Sequence, residues 1–418
     1  MLHAGPAGAR RACTLCAFLF LLIKLLTWGG GYWLATRGDV HFNAGNYLYN
    51  FHHLRLDPRL TDNRAVDFFA LWNYADSEWY LSIAGDGYPP ADRIRRDMAQ
   101  GQGYYLSTDR DSFRRYAFFP LFPALVAPLS GVLTLEAAAF FSNLIINVLA
   151  FIAFLHLFRL YFPEQKGSVI WPFLLTFLFP FSVFSSLYFP EALFLALSMY
   201  VFICLKLRKY VLMGLFGFLL SLTRPNGMFI AIPALLGLLT ITQGEARTAK
   251  ERIVPFLSAL MIPGGFLLYL LFSYVRTGDW NFYSTVIRAG WGTDFSMVGE
   301  HVLSKIALAA NFSSLPLHAI HASKVDTFVM LFALIVLALM WFDRKFPREL
   351  TLWATLLWLI PFLASTDLMS FSRYMSVSFP LFLFLGVRMG WTRYPAVAIF
   401  AIGYYYALRA IIQYEWVG

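Results

Sequence analysis

Long apolar runs separated by short charged loops make up most of this chain. The runs fall at about 14–33, 117–133, 137–160, 168–187, 190–205, 210–223, 226–242, 253–275, 325–342, 350–364, 375–390 and 394–412. A helix needs about 20 apolar residues to cross a hydrocarbon core of about 30 Å. A membrane barrel would instead show alternating segments of about ten residues, and that alternation is absent. The pattern predicts an all-α polytopic membrane protein, a single transmembrane domain over 1–418 with about 11–13 spans.

The charges between the runs give a topology. Arg10 and Arg11 precede a first run without a clear small-residue cleavage site, which predicts an uncleaved first helix with a cytoplasmic N-terminus. Arg247, Lys250 and Arg252, then Arg344, Lys345 and Arg348, then Arg388 and Arg393, mark cytoplasmic loops. The loops around Asp76, 276–324 and 365–373 then lie outside. An inside start and an outside end need an odd number of crossings, whereas twelve runs are present. One run is therefore broken or re-entrant, in the Pro-interrupted 168–205 region or in 210–242, where Thr223-Arg224-Pro225-Asn226-Gly227 intervenes.

Two polar stretches stand out, a first extracytoplasmic loop over 35–115 and a second over 276–324. Structureless loops of such length are uncommon and usually functional. Within the first, Val66 to Ala84 reads as a short amphipathic interfacial helix, and Arg93 to Arg115 as a basic segment.

Composition sharpens the class. The chain is 59% hydrophobic, 18% aromatic and only 14% charged, against roughly a quarter charged for soluble domains. The net charge of +9 sits mainly in short loops, where it reports topology and anionic lipid headgroups and not nucleic acid. Cys13 and Cys16 form a CxxC without a βαβ context or a second pair, so no metal or redox role is expected of them, and Cys204, inside a run, reads as packing. His52-His53 lacks a spaced third ligand. No P-loop, GxGxxG, GxSxG or HExxH occurs.

Against this apolar background a few ionisable residues carry the candidate chemistry. Asp76 and Glu78 lie in Asn73-Tyr74-Ala75-Asp76-Ser77-Glu78-Trp79-Tyr80-Leu81. A carboxylate there is suited to take a proton from a hydroxyl nucleophile; equally, Asp76 is well placed to cap the helix that follows. Trp79, Tyr80 and Ile83 then share one helix face, expected toward the membrane. Glu191 and Arg224 stand at span junctions, where charges are expensive and by default functional; the plainer readings are a first-turn carboxylate and a snorkelling arginine. Arg373-Tyr374 ends a span on the Asp76 side, able to grip a phosphate bidentately or to anchor the helix among headgroups. Arg93, Arg95, Arg96, Arg110, Arg114 and Arg115 would attract an anionic lipid or form a solvated face.

In order and spacing, these segments resemble the PIG-V-like family, the second mannosyltransferase of GPI-anchor assembly, within the glycosyltransferase C superfamily. The residues that carry the resemblance are Ala75-Asp76-Ser77-Glu78-Trp79-Tyr80-Leu81-Ser82-Ile83-Ala84 with Gly87-Tyr88, then Phe118-Phe119-Pro120-Leu121-Phe122-Pro123, and Tyr188 with Glu191. Thr223-Arg224-Pro225-Asn226-Gly227, Gly278-Asp279-Trp280, Trp291-Gly292, Arg373-Tyr374 and Trp416-Val417-Gly418 continue it. The family usually has Trp where Ala75 stands. The resemblance implies a glycosyltransferase C type bundle and inverting transfer of mannose, or a related sugar, from a polyprenyl-phosphate donor to a lipid, glycan or protein hydroxyl. Asp76 would be the base, with Glu78 orienting it or the acceptor. Arg373 and Arg224 would stabilise the leaving phosphate, and Trp79, Tyr88, Arg115, Glu191 and Tyr374 would line the substrate. No cofactor is expected, and independence of divalent metal is predicted.

A transporter or lipid flippase is the alternative, although such folds show two corresponding halves and only the first half here carries an 80-residue loop. A non-catalytic subunit of a glycan-assembly complex, with Asp76 as a cap, is a third reading. A prokaryotic plasma membrane is favoured over the endoplasmic reticulum.

Overall fold

The structure, a computed structural model, describes residues 6–37, 67–90, 113–242, 249–291, 297–317, 323–364, 367–415 and 417. Among them every regular element is helical. In chain order the helices are α1 (Arg10–Thr36), α2 (Ser77–Asp86), α3 (Leu121–Ser130), α4 (Leu135–Tyr161), α5 (Ile170–Phe177), α6 (Glu191–Lys206), α7 (Tyr210–Ser221) and α8 (Ala231–Thr242). Then follow α9 (Ile253–Thr277), α10 (Phe282–Trp291), α11 (Val298–Ala310), α12 (Lys324–Phe342), α13 (Arg348–Ala364), α14 (Phe371–Ser376), α15 (Phe379–Arg388) and α16 (Arg393–Ile412).

Among the described residues five helices, α1, α4, α9, α12 and α16, are long and apolar enough to cross a membrane, which makes this an integral multi-pass protein. The longest, α4, starts as its sequence dictates: the Thr134 side chain accepts a hydrogen bond from Ala137 N–H, Glu136 lies in the first turn and Arg159 in the last. The lengths depart from the expectation of 11–13 full spans. Proline and glycine cut several apolar runs into shorter helices such as α3, α7 and α15. Ten helical residues rise about 15 Å, half of the core.

One break shapes the site. The 3₁₀ segment Pro180–Ser186 and α6 meet at 98° and count as at most one span, so the run 168–205 is indeed interrupted. Irregular backbone at membrane depth must find its partners in protein, and here it does. Asn143 of α4 donates to the Ser185 and Leu187 carbonyls at 3.1 and 2.8 Å, and Asn147 donates to Ser185 at 2.8 Å. From α1, Trp28 Nε1 donates to the Ser186 carbonyl at 2.9 Å, and the Lys24 ammonium donates to the Ser186 and Ser185 hydroxyls at 2.7 and 3.2 Å.

Lipid tails offer helices little hydrophobic reason to associate, so close backbone approach matters more. Between α7 and α9 it is extreme: a Cβ on Gly214 would lie 2.4 Å from the Ser258 carbonyl oxygen, and one on Gly265 2.1 Å from that of Phe218. Either alanine would push the two helices apart.

The helix α2 corrects the interfacial reading. Every residue from Ser77 to Ile83 is buried. The ring of Trp79 stacks on Phe118 at 5.9 Å, and Tyr80 meets Phe118, Phe122 and Phe189 edge-on at 5.1, 5.8 and 6.2 Å. Aromatic side chains on several faces, not one, have partners within the bundle, so the face of Trp79, Tyr80 and Ile83 that was expected toward the membrane is packed by protein.

Candidate active site

Asp76 occupies the N-cap position of α2 but does not cap it: its side chain makes no hydrogen bond to the helix. The backbone explains this. A capping aspartate adopts extended dihedrals that fold the side chain over the first turn, whereas Asp76 is already helical, with φ −62° and ψ −8°. The turn is made one residue earlier, at Ala75, whose φ is +48°. Left-handed backbone in a residue with a Cβ is unfavourable by roughly 1–2 kcal/mol, and such strain persists only when the surroundings impose it.

Those surroundings are a clasp of two tyrosines. The Tyr74 hydroxyl donates to the Glu415 carbonyl at 2.7 Å and accepts from Val417 N–H at 3.2 Å. In return the Tyr414 hydroxyl donates to the Asn73 carbonyl at 2.8 Å. The segment after α16 thus pins the residues on which Asp76 turns.

The released carboxylate faces Arg373. Asp76 Oδ2 lies 3.3 Å from Arg373 Nη1, and Arg373 Nε lies 3.4 Å from Glu191 Oε1. The same Glu191 oxygen also pairs with Arg224 Nη2. Four ionisable groups from four distant points of the sequence therefore form one row, Asp76–Arg373–Glu191–Arg224, with two carboxyl groups and two guanidinium groups in alternation. Their exposure is graded: 19% of the Asp76 side chain is accessible against 1% of Glu191. Asp76 is thus the member of the row open to a reactant. Burial disfavours the Arg373 charge, but Glu191 first and then Asp76 outweigh it, so the guanidinium pKa is raised.

Local sequence explains each position. Glu191 opens α6 directly after Pro190, so the carboxylate sits at the helix's positive end. Arg224 precedes Pro225, which bars it from helical backbone; it is extended, with φ −159° and ψ 151°, and reaches out of the break between α7 and the 3₁₀ turn Pro225–Ile230. Arg373 lies on α14, entered through Ser370 at φ +61°. That turn is fixed by Asp326 at the start of α12, whose Oδ1 accepts from Ser372 N–H at 2.9 Å while Oδ2 accepts from the Ser323 hydroxyl at 2.7 Å. Non-glycine residues at positive φ flank both partners of the Asp76–Arg373 pair.

The row keeps unspent hydrogen-bonding capacity. Glu191 Oε2 and Arg224 Nη1 are buried without a hydrogen-bond partner among the described residues, although most buried polar atoms are paired. The Tyr374 ring lies 5.5 Å from the Arg224 guanidinium and 5.8 Å from that of Arg373, and Phe189 approaches Arg373 to 5.2 Å. Charged donors and acceptors in an aromatic, poorly solvated wall can stabilise an anion and accept a proton strongly, because little water screens them.

No family model matches the chain, and no curated protein matches it. Among solved structures it is similar to the oligosaccharyltransferase of Archaeoglobus fulgidus, tethered by a disulfide bond to an acceptor peptide with the NVT sequon. Identity is 12% and the TM-score 0.41, over 96% of this chain and 56% of that one. This chain thus spans little more than half the length of that protein, and the reading of the site rests on its own geometry.

Of the residues singled out from sequence, the structure unites Asp76, Glu191, Arg224, Arg373 and Tyr374. Arg224 does not snorkel; it is buried and paired. Glu78 is directed elsewhere, its Oε2 accepting from Asn73 Nδ2 at 3.2 Å. Trp79 packs on Phe118, as described above. Tyr88 and Arg115 lie at the far end of α2, where Arg115 donates to the Gly87 carbonyl at 2.6 Å and contacts Asp86 at 3.2 Å, and the Tyr88 hydroxyl donates to the Phe118 carbonyl at 2.6 Å. Arg114 and Arg115 are buried, so they belong to no solvated basic face. Arg93, Arg95, Arg96, Arg110, His52, His53, Gly292, Trp416 and Gly418 lie outside the described residues.

Asp326 and the Tyr74–Tyr414 clasp escaped the sequence reading. Ser323-Lys324-Val325-Asp326 carries the spacing of a capping box, which predicts a helix start and says nothing of a second role. The clasp joins residues 341 positions apart, which no local pattern encodes.

Proposed function

We propose that this protein is an inverting glycosyltransferase of the glycosyltransferase C type, moving mannose or a related sugar from a polyprenyl-phosphate donor to a hydroxyl acceptor at the extracytoplasmic face. The observation that carries the proposal is the Asp76 carboxylate. It stands at a helix start without capping it, partly open, 3.3 Å from one guanidinium in a row that holds a second. Asp76 takes the proton of the acceptor hydroxyl as its oxygen bonds to the anomeric carbon. The bond from that carbon to the phosphate oxygen breaks on the opposite side, and its electron pair leaves with the lipid phosphate. Buried guanidinium groups stabilise the charge that develops there. Phosphate is a competent leaving group, so the reading requires neither a strong general acid nor a metal, and transfer is expected to persist in chelator. The acceptor would belong to a lipid, glycan or protein, and the membrane would be a prokaryotic plasma membrane.

The test is transfer of label from radiolabelled polyprenyl-phosphate mannose to membrane-extract acceptors by purified protein, beside Asp76→Asn. Label moved by the wild type alone supports the reading; equal transfer by both removes Asp76 as the base. If neither transfers, while liposomes bearing the wild type take up labelled lipid-linked sugar, a transporter is the better description.

A further inference from the structure

Three tyrosines from three separate elements converge on the ionic row: Tyr80 on α2, Tyr283 on α10 and Tyr374 on α14. Tyr80 follows Asp76 by one helical turn and meets Phe189 at 6.2 Å, whose ring lies 5.2 Å from the Arg373 guanidinium, while the Tyr374 ring lies 5.5 Å from that of Arg224. Tyr283 couples electrostatically to both Tyr374 and Tyr80. The Tyr80 residue is only 5% exposed, and a buried tyrosine normally finds a partner for its hydroxyl. Among the described residues none of the three hydroxyls makes a hydrogen bond. The other buried tyrosines nearby behave differently: Tyr74, Tyr116, Tyr188, Tyr269 and Tyr414 all donate to backbone carbonyls. The guanidinium of Arg224, whose Nη1 is buried and unpaired, is the one that lies 5.5 Å from the Tyr374 ring.

We propose that Tyr80, Tyr283 and Tyr374 with Arg224 form the seat for the donor's phosphate, while Arg373 stays with Asp76 and Glu191 as a positioning cation. This deepens the transferase reading and rests on it. The division of labour follows from the geometry. Arg373 already faces two carboxylates, at 3.3 and 3.4 Å, whereas Arg224 pairs among the described residues with Glu191 alone. Burial raises the Tyr80 pKa, partly offset by Arg224, and burial raises that of Tyr283. Both phenols therefore stay protonated and act as donors at any pH near neutrality. Neutral donors also suit the charges. The row already sets two carboxyl groups against two guanidinium groups, and a sugar-phosphate diester brings one negative charge that rises toward two when the sugar departs. Hydrogen bonds from phenols and a guanidinium strengthen as that charge grows, which favours the transition state over the bound donor.

The experiment measures binding of a short-chain polyprenyl phosphate, with the uncharged polyprenol as its control, to purified protein in nanodiscs. Wild type, Tyr80→Phe, Tyr283→Phe, Tyr80→Phe/Tyr283→Phe and Asp76→Asn are compared, and each variant is first checked for wild-type elution and thermal stability. The expected result is wild-type preference for the phosphate, a loss of about tenfold for each phenylalanine and more for the pair, and no loss for Asp76→Asn. Phenylalanine variants that bind the phosphate as the wild type does overturn the seat and leave the transferase reading standing. The same holds if they lose only the rate of transfer, because the hydroxyls would then serve the sugar. Wild type that fails to prefer the phosphate over the alcohol overturns the donor class, and the seat with it.

Discussion

The two ends of α2 begin with similar ingredients and use them differently. At each end a carboxylate meets an arginine from elsewhere in the chain: Asp76 with Arg373 at the start, Asp86 with Arg115 at the finish. At the finish, Arg115 also donates to the adjacent Gly87 carbonyl, Arg276 donates to the Tyr88 carbonyl at 3.0 Å, and the Tyr88 and Tyr116 hydroxyls donate to backbone. There the polar groups tie loops down. At the start, the arginine is shared by two carboxylates, a second arginine follows, and buried polar atoms are left over beside phenols without partners. Charge alone therefore does not mark a site in this protein. A row of shared charges, with phenols beside it that make no hydrogen bond among the described residues, distinguishes the start.

The sharpest way to break the comparison is at Asp76. Asp76→Asn removes the proton acceptor but no helix cap, and Arg373 keeps its contact with Glu191. Transfer is expected to fall by roughly 10²–10⁴-fold, with thermal unfolding in detergent little changed. A variant that unfolds instead would make Asp76 a structural residue.

Glu191→Gln comes next. It leaves Arg224 and most of Arg373 buried without a balancing charge, and removing one partner from such a pair is unfavourable by about 3–5 kcal/mol. A large drop in thermal stability is expected together with loss of transfer. Retained stability would mean that water reaches the row far more than a 1% exposed side chain allows.

Much of this contrast was legible in the sequence, and the reason is scarcity. In a chain with 14% charged residues, an ionisable group at the edge of an apolar run is conspicuous, so Asp76, Glu191, Arg224 and Arg373 were found. The same rule brought in Arg115, because sequence shows that a charge is present and not whether a nearby carbonyl already uses it. Tyrosine fails for the opposite reason. With 22 in the chain, nothing distinguishes Tyr80 or Tyr283 from the clasping Tyr74 and Tyr414 until their hydroxyls are traced in space. The helical bundle was readable from the run lengths. The halving of several spans was not, since a proline at a run's edge and one that ends a helix at mid-depth look alike.

Asp326 tests how far the active end depends on its supports. Asp326→Ala removes the acceptor for Ser372 N–H and for the Ser323 hydroxyl, leaving the left-handed Ser370 turn to the backbone bonds from Phe371 to Leu368 and from Tyr374 to Ser370. A loss of about 1–3 kcal/mol in stability is expected, with kcat falling more than the KM for the donor rises. Asp326→Asn, which keeps one acceptor oxygen for Ser372, is expected to recover much of the rate. Equal rates for Asp326→Ala and the wild type would show that Asp76 and Glu191 hold Arg373 without the Asp326 turn.

The smallest expected effect on transfer lies at the other end of the helix. Arg115→Gln removes the charged donor to the Gly87 carbonyl and the pair with Asp86, whose side chain is 61% exposed. The exposed pair itself contributes little, so most of the loss is the bond to Gly87, about 1.5–3 kcal/mol for a charged donor. Thermal stability is expected to fall, while kcat and the KM for the lipid-linked donor stay at wild-type values in the surviving folded fraction. The two readouts separate two meanings of a buried arginine. If the donor KM rises severalfold with stability intact, Arg115 reaches the substrate, and the two ends of α2 belong to one extended site. If only stability falls, the chemistry is confined to the end that carries the ionic row.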